Sequence, residues 1–306
     1  ITSNDPLTPT LDVPVTLIVL GEDWNQVPCD VDHLIAALKI ANSNGVPDML
    51  DLAAGCTYTL IESDNDTDGP NGLPSITSAI TVNGNGAMIE RRLPEEDEWP
   101  IQDPFRIFHV AASGDLTLKQ LTVRQGRGVI GADLPGGYGI ANRGTLTLIE
   151  STLSGNQDQE DSMGCGGGLY NFASASATLV ESWVTHNGVG RHSAGGGGIC
   201  NDGEMELIDS TVSSNGGPSG GGIVNKGTLE IVRSTVSGNS AFAFYGEMAG
   251  SGGGIVNEGT LIVRSSTVSG NDTWDSGGGI QNSGTVTVID STVTDNSIDE
   301  ENSGCA

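Results

Sequence analysis

Basic residues are scarce in this chain. Twelve Lys and Arg stand against 39 Asp and Glu in 306 residues, a formal charge of −27. That balance argues against nucleic acid and anionic membrane surfaces as partners, since both need a basic face. Long apolar runs are missing too, and no segment reaches the length of a membrane span. Aromatic residues make up only 4% of the chain. The four Trp (Trp24, Trp99, Trp183, Trp274) fall in no common sequence slot, which argues against a shallow aromatic platform for sugars. Helical periodicity is confined to one stretch.

Glycine is abundant, at 46 residues. Much of it belongs to a repeat whose clearest copy is Gly253 to Asn271, GGIVNEGTLIVRSSTVSGN. Other copies start near Gly139, Gly167, Gly197, Gly221 and Gly278. One Asn anchors the front of each copy: Asn142, Asn171, Asn201, Asn225, Asn257 and Asn282. A second sits near its end: Asn156, Asn187, Asn215, Asn239, Asn271 and Asn296. The two are 14 positions apart in five copies and 16 in the copy that carries Ala173 to Ala175. Length varies after the second Asn, the pattern of a solenoid with its loops on one face.

Within a copy the apolar positions alternate as in strands. Leu146 and Leu148, Met205 and Leu207, Leu229 and Ile231, Leu261 and Val263, Val286 and Val288 share one parity and are expected inside. Leu153, Val184, Val212, Val236, Val268 and Val293 are expected on a second inner wall. Gly runs such as Gly195–Gly198 turn corners that a Cβ would obstruct. The fold expected is all-β, a right-handed single-stranded parallel β-helix. Stacked coils put each set of Asn in line, where side-chain amides bond one another; both ladders read as structural.

The chain begins at Ile1 without Met, so a removed signal peptide is expected. Residues 1–20 read as an arm or first strand, and 21–306 as the β-helix body. Pro6, Pro9 and Pro14 keep the start out of helix. Val15-Thr-Leu17-Ile-Val19-Leu20 is a strong strand signal. It reads either as an edge strand of the body or as an arm that pairs with a neighbour. A capping helix is expected over about 32–44, with Asp30 or Asp32 at its start and Gly45 at its stop. Leu34, Ile35, Leu38 and Ile40 supply its apolar face, and His33 lies in its first turn as a surface or capping residue. Cys29 and Cys56 flank the helix and the next strand, and a disulfide between them would fasten the cap in an exported protein. Cys165 and Cys200 occupy different slots, which in-register stacking would separate unless the Gly loop folds back. Cys305 is the candidate unpaired thiol.

Four runs now carry a resemblance: Cys29 through HLIAALKIANSNG, then DMLDLAAGCTYTL, NGLPSITSAITVNGNGAMIERR, and FRIFHVAASGDLTLKQLTVRQG. With the GTLTLIESTLSGN-type coils, they resemble the exported right-handed parallel β-helix repeat family of bacteria, over about residues 15–304. The resemblance implies the fold. For function it implies surface or secreted proteins of unassigned role; the wider fold also includes polysaccharide lyases, hydrolases and adhesins. The chain departs from the family pattern just after the inner strand. There it carries Ile149, Val180, Ile208, Val232 and Ile289, broken only by Arg264.

Other motifs invite chemistry. Asp64-Asn-Asp66-Thr-Asp68-Gly69 resembles the first half of an EF-hand loop, making Ca²⁺ the one cofactor suggested, at Asp64, Asp66 and Asp68. The twelfth position is Ser75 rather than Glu, and a solvated acidic loop is the plainer reading. Asn65-Asp-Thr67 and Asn271-Asp-Thr273 are glycosylation sequons, with Asn65 the better acceptor because Asn271 belongs to a ladder. A lyase for acidic sugars needs a cationic base, yet the cations are scattered singly. Arg233 and Arg264 come nearest to a patch. A polygalacturonase-type hydrolase needs clustered Asp with Gly-His-Gly, and no Gly-His-Gly occurs. Glu150, Glu181, Asp209 and Asp290 stack on one edge, at a bend where polar residues are expected anyway; a glycosidase pair there is the enzymatic alternative. His186 and His192 flank a Gly-rich loop without evident further ligands.

The reading is a non-enzymatic structural or adhesive β-helix, extracellular or at the cell surface. Its assembly would run head to tail through Val15, Leu17, Val19, the column Ile149, Val180, Ile208, Val232 and Ile289, and Cys305. The alternative is a polysaccharide-degrading enzyme or a carbohydrate-binding module.

Overall fold

The computed structural model describes residues 23–93, 104–128, 136–158, 164–190, 195–242 and 250–298. The arm at 1–20, with Val15, Leu17 and Val19, lies outside them, as do Trp99, His192 and Cys305. The described chain is a parallel β-solenoid. Its first regular coil has strands Ile140–Asn142, Thr145–Ile149 and Thr152–Ser154. Equivalents of the first strand stack in parallel as a seven-stranded sheet from Phe108–Val110 to Ile280–Asn282. Equivalents of the other two belong to one 17-stranded sheet, and a two-residue fourth strand from Gly216–Gly217 onward adds a sheet of four.

Alternation sets the interior. Leu148, Leu179, Leu207, Ile231 and Val263 pair strand to strand as one column and are all fully buried. Each such side chain contributes about 1.5–3 kcal/mol through burial. Between the second and third strands the chain bends at a left-handed residue, φ 47 to 50° at Gln120, Glu150, Glu181, Asp209, Arg233, Ser265 and Asp290. Before the second strand stands Gly144, Gly203, Gly227, Gly259 or Gly284, where a Cβ would run into a carbonyl oxygen of the preceding coil. The longer copy puts Ala175 in that slot, with Ser174 taking up the extra length at φ 68°.

Helix α1, Val31–Asn44, closes the N-terminal end of the core. Asp30 is its N-cap, accepting from His33 N at 3.0 Å, and Gly45 ends it at φ 72°. The face it buries is Leu34, Ala37, Leu38 and Ala41. Ile40, expected there, is only half-buried, because the i, i+3, i+4, i+7 positions from Leu34 select the two alanines. A Cys29–Cys56 disulfide, Cα–Cα 5.6 Å, ties the helix start to the strand below.

The expectation that the whole inner wall is buried fails at the last described coil. Val286, Val288 and Val293 are 38%, 45% and 50% exposed, and Ile298 is 45% exposed. No described coil stacks on them, so the inner face opens at that end.

Candidate functional site

The Asn columns form continuous amide ladders. In the first, each Nδ2 donates to the next coil's Oδ1, at 2.7 Å from Asn142 to Asn171 and again at 2.7 Å from Asn257 to Asn282. Asn201 and Asn225 continue it in between. The second ladder runs from Asn156 through Asn187, Asn215, Asn239 and Asn271 to Asn296 at 2.8–3.0 Å. From Asn187 onward each Oδ1 also accepts the backbone N–H of the preceding Asn, as at Asn239 from Asn215, 3.0 Å, and Asn156 Oδ1 accepts from Gly126 N at 2.9 Å. A third ladder escapes the sequence reading. Ser151, Ser182, Ser210, Ser234, Ser266 and Ser291 each accept from a backbone N–H of the preceding coil, at 2.9–3.2 Å. The six Ser recur as regularly as the Asn, so the signal was present.

On the outer face, Lys119, Ile149, Val180, Ile208, Val232, Arg264 and Ile289 stand in register as one half-buried column. The acidic bend runs alongside it. Arg233 is no free base: its Nε and Nη2 donate to Asp209 at 2.8 and 2.7 Å, and that hydrogen bonding holds Asp209 below the usual carboxylate range. Arg264 Nε donates to Glu230 at 2.8 Å. Arg233 and Arg264 are thus separately paired and form no basic patch. Beside the column, Ser176, Thr178, Glu204, Glu206, Thr228 and Glu230 line a shallow groove of about 280 Å³. Glu206 and Glu230 are direct neighbours in register.

The acidic loop does not gather its carboxylates as a calcium loop would. Asp64 pairs with Lys39 at 2.6 Å, whereas Asp68 lies 2.7 Å from Arg143 Nε and 3.3 Å from His109 Nε2. No group of three metal-ligating side chains occurs among the described residues. Asn65 is also less available than its sequon suggests. Its amide donates to Leu73 O at 2.9 Å and accepts from Asn71 Nδ2 at 2.9 Å and Thr67 N at 3.2 Å. A glycan there would replace an N–H in the network that shapes the loop.

Asp68 instead anchors a cluster that spacing does not reveal. Its carbonyl accepts from the buried Arg106 at 2.7 Å, and His109, also buried, bonds Ser75 Oγ at 3.0 Å. Burial, then the charge of Arg106, pushes His109 down to about 4. Burial likewise lowers Arg106 to about 10. Arg143 lies over Phe172, 3.9 Å from the ring centroid, and Phe172 stacks on Tyr170. Tyr170 in turn donates to Asp202 at 2.6 Å, and burial with that bond raises its phenol. The contacts join the acidic loop to four successive coils.

Cys165 and Cys200 are bonded, with Cα atoms 5.8 Å apart. The Gly loop does fold back. Cys165 stands opposite Gly195, and Gly195 and Gly196 turn at φ 105° and 70°. A Cβ on Gly196 would come within 3.2 Å of Cys165 Sγ and closer still to Cys200 Sγ, so glycine makes room for the bridge.

Farther round the coil, Asp158, His186, Val189, Ser214 and Phe242 line an open depression of about 420 Å³. No helix among the described residues is long and apolar enough to cross a membrane.

No protein-family model matches the chain, and no curated protein matches it. Among solved structures, a pectin methylesterase from Aspergillus niger in deglycosylated form is similar, with a TM-score of 0.43 and 12% identity over 85% of this chain and 80% of that one.

Proposed function

We propose that this chain is an extracellular structural or adhesive protein of bacterial type, non-catalytic, whose copies add head to tail into a filament. The observation that supports the reading is the coil from Gly278 to Ile298, on which no other described coil stacks. Its inward-facing Val286, Val288 and Val293 are 38–50% exposed, whereas their counterparts in the preceding coil, Leu261, Val263 and Val268, are fully buried. An open edge of this kind is a template for added strands. The proposed occupant is the apolar stretch Val15–Leu20 of a second copy, with the half-buried column through Ile208 and Val232 as a lateral contact and Cys305 as a covalent lock. Two disulfides support an oxidising, exported setting. Light scattering across a concentration series, with electron microscopy, tests the proposal. Full-length protein forms rods or higher oligomers, and protein lacking residues 1–20 does not.

A second reading, action on a polysaccharide, draws on the groove with Glu206 and Glu230 side by side. Adjacent strands lie about 4.8 Å apart, close to the separation of a retaining glycosidase pair. Loss of any glycan-cleaving activity in Glu206→Gln would favour this reading.

A further inference from the structure

We propose that the N-terminal end of the solenoid takes up a short extended peptide of another protein, one that alternates basic and apolar residues, as an added strand beside Thr57–Leu60. The backbone sets the place. Strand Thr57–Leu60 pairs in parallel with Ala79–Arg91 and with no other strand among the described residues. Met88 N donates to Cys56 O and Arg92 N to Leu60 O, so the even-numbered residues turn their N–H and C=O groups towards that neighbour. These groups alternate along a parallel strand, so Thr57, Thr59 and Ile61 present theirs on the other side. In later coils the preceding coil fills that side, as Asp115–Arg124 does for Thr145–Ile149. Here the chain turns into α1 instead. A helix bonds its own backbone groups, so α1 covers the core end without pairing the strand. Unpaired strand groups are a template for an added strand.

A groove of about 350 Å³ lies along this side, between the strand and the first turns of α1. Its volume is in the range of small-ligand pockets. The walls select the partner's side chains. Val31 and Ile35 are half-buried on the helix side, and Ile61, on the strand side, is 68% exposed. Asp32 and Glu62 bring carboxylates that are exposed and carry no partner among the described residues. Asp30 also lines the groove but is committed to His33, through its backbone N at 3.0 Å and its Nδ1 at 2.7 Å. Thr59 Oγ1 is bonded to Glu90 at 3.1 Å, so Thr59 contributes its backbone alone. No Lys, Arg or His lines the groove, and the chain carries −27 overall, so the field favours a cationic partner.

Charge also separates this partner from the chain's own ends. Residues 1–22 and 299–306 contain no Lys or Arg. The first stretch carries Asp5, Asp12 and Glu22, and the second Asp299, Glu300 and Glu301, so each would bring negative charge to an acidic groove. The proposal does not rest on filament assembly, because the groove lies at the opposite end of the solenoid from Gly278–Ile298.

Titration calorimetry of the full chain at about 0.15 M salt tests it, with the blocked peptide Lys-Val-Lys-Val-Lys as the probe. Two analogues, N-methylated at the odd or at the even residues, keep the charge and each block one edge of the peptide backbone. The parent is expected to bind saturably with one site per chain. At least one analogue should bind about tenfold more weakly or worse, roughly the loss of one good polar contact. A Glu-Val-Glu-Val-Glu peptide should not bind. Asp32→Asn with Glu62→Gln should weaken the parent peptide by about tenfold and leave the melting temperature unchanged, since both side chains are exposed. In amide hydrogen exchange, the N–H groups of Thr57, Thr59 and Ile61 should gain protection on binding. No saturable binding of the parent peptide overturns the proposal. So do two analogues as tight as the parent, which would mean that overall charge alone attracts it, and so does protection that spares all three amides.

Discussion

A single ladder Asn makes four interior hydrogen bonds. Asn239 Oδ1 accepts from Asn215 N at 3.0 Å and Asn215 Nδ2 at 2.9 Å; its Nδ2 donates to Val212 O at 3.0 Å and Asn271 Oδ1 at 2.9 Å. Removing it strands several buried polar groups in a dry wall, each costing about 1–3 kcal/mol. Asn239→Leu is therefore expected to destabilise by at least about 3 kcal/mol in urea unfolding, against about 0.5 kcal/mol or less for the exposed Glu204→Ala. A loss below about 1 kcal/mol would mean that the amides add nothing to packing. His109 gives a pH signature. Its folded value, about 4, lies below the ordinary 6.5, so between those values the unfolded chain binds the proton more readily. The stability from keeping His109 neutral is complete above pH 6.5 and is lost as pH falls towards 4, on the order of 3 kcal/mol at the limit. His109→Gln should flatten the fall of melting temperature across that window. Parallel curves for the two proteins would show that burial and the charge of Arg106 do not hold the imidazole neutral.

Among the elements, the two disulfides divide differently between sequence and structure. Cys29 and Cys56 flank a helix with legible start and stop signals, Asp30 and Gly45, so their meeting can be expected from the cap alone. Cys165 and Cys200 meet because two left-handed glycines redirect the loop, and a run of four Gly does not state its direction. Replacing both by Ser should lower stability by roughly 2–4 kcal/mol, read from denaturant midpoints under non-reducing conditions. Equal midpoints, or mass spectrometry finding both thiols free, would remove that bridge from the account. The coils after Gly139 were legible because identical slots return at countable spacing. The Ser ladder was equally countable, but a hydroxyl ahead of Thr reads as ordinary strand polarity. The Asp68, Arg106, His109 and Arg143 cluster was not legible, since irregular coils without a period bring it together. On α1 the bulkier Ile40 drew attention from Ala37 and Ala41, although position on the helix, rather than size, decides which face is buried.

For the whole molecule, the balance of terms decides how the open edge can assemble. Val286, Val288, Val293 and Ile298 are each roughly half exposed. Covering the rest of each contributes about 1 kcal/mol, or about 4 kcal/mol together. Association costs about 4–15 kcal/mol in lost translation and rotation, so apolar packing at the edge is insufficient alone. In the proposed filament, main-chain pairing by the arm and contacts along the Ile208–Val232 column would supply the remainder. Two copies each carrying −27 also repel one another, and salt screens that repulsion over about 10 Å at 0.1 M. Assembly is therefore expected to need residues 1–20 and to strengthen as ionic strength rises. Val288→Glu with Val293→Glu should weaken it without unfolding the inner coils, because about half of each side chain is already exposed. Sedimentation velocity at low and high salt, for the full chain, the truncation and the double variant, separates the possibilities. A full chain that stays monomeric at high concentration and high salt sinks the filament. Oligomers that persist without residues 1–20 would instead place the contact on the outer column.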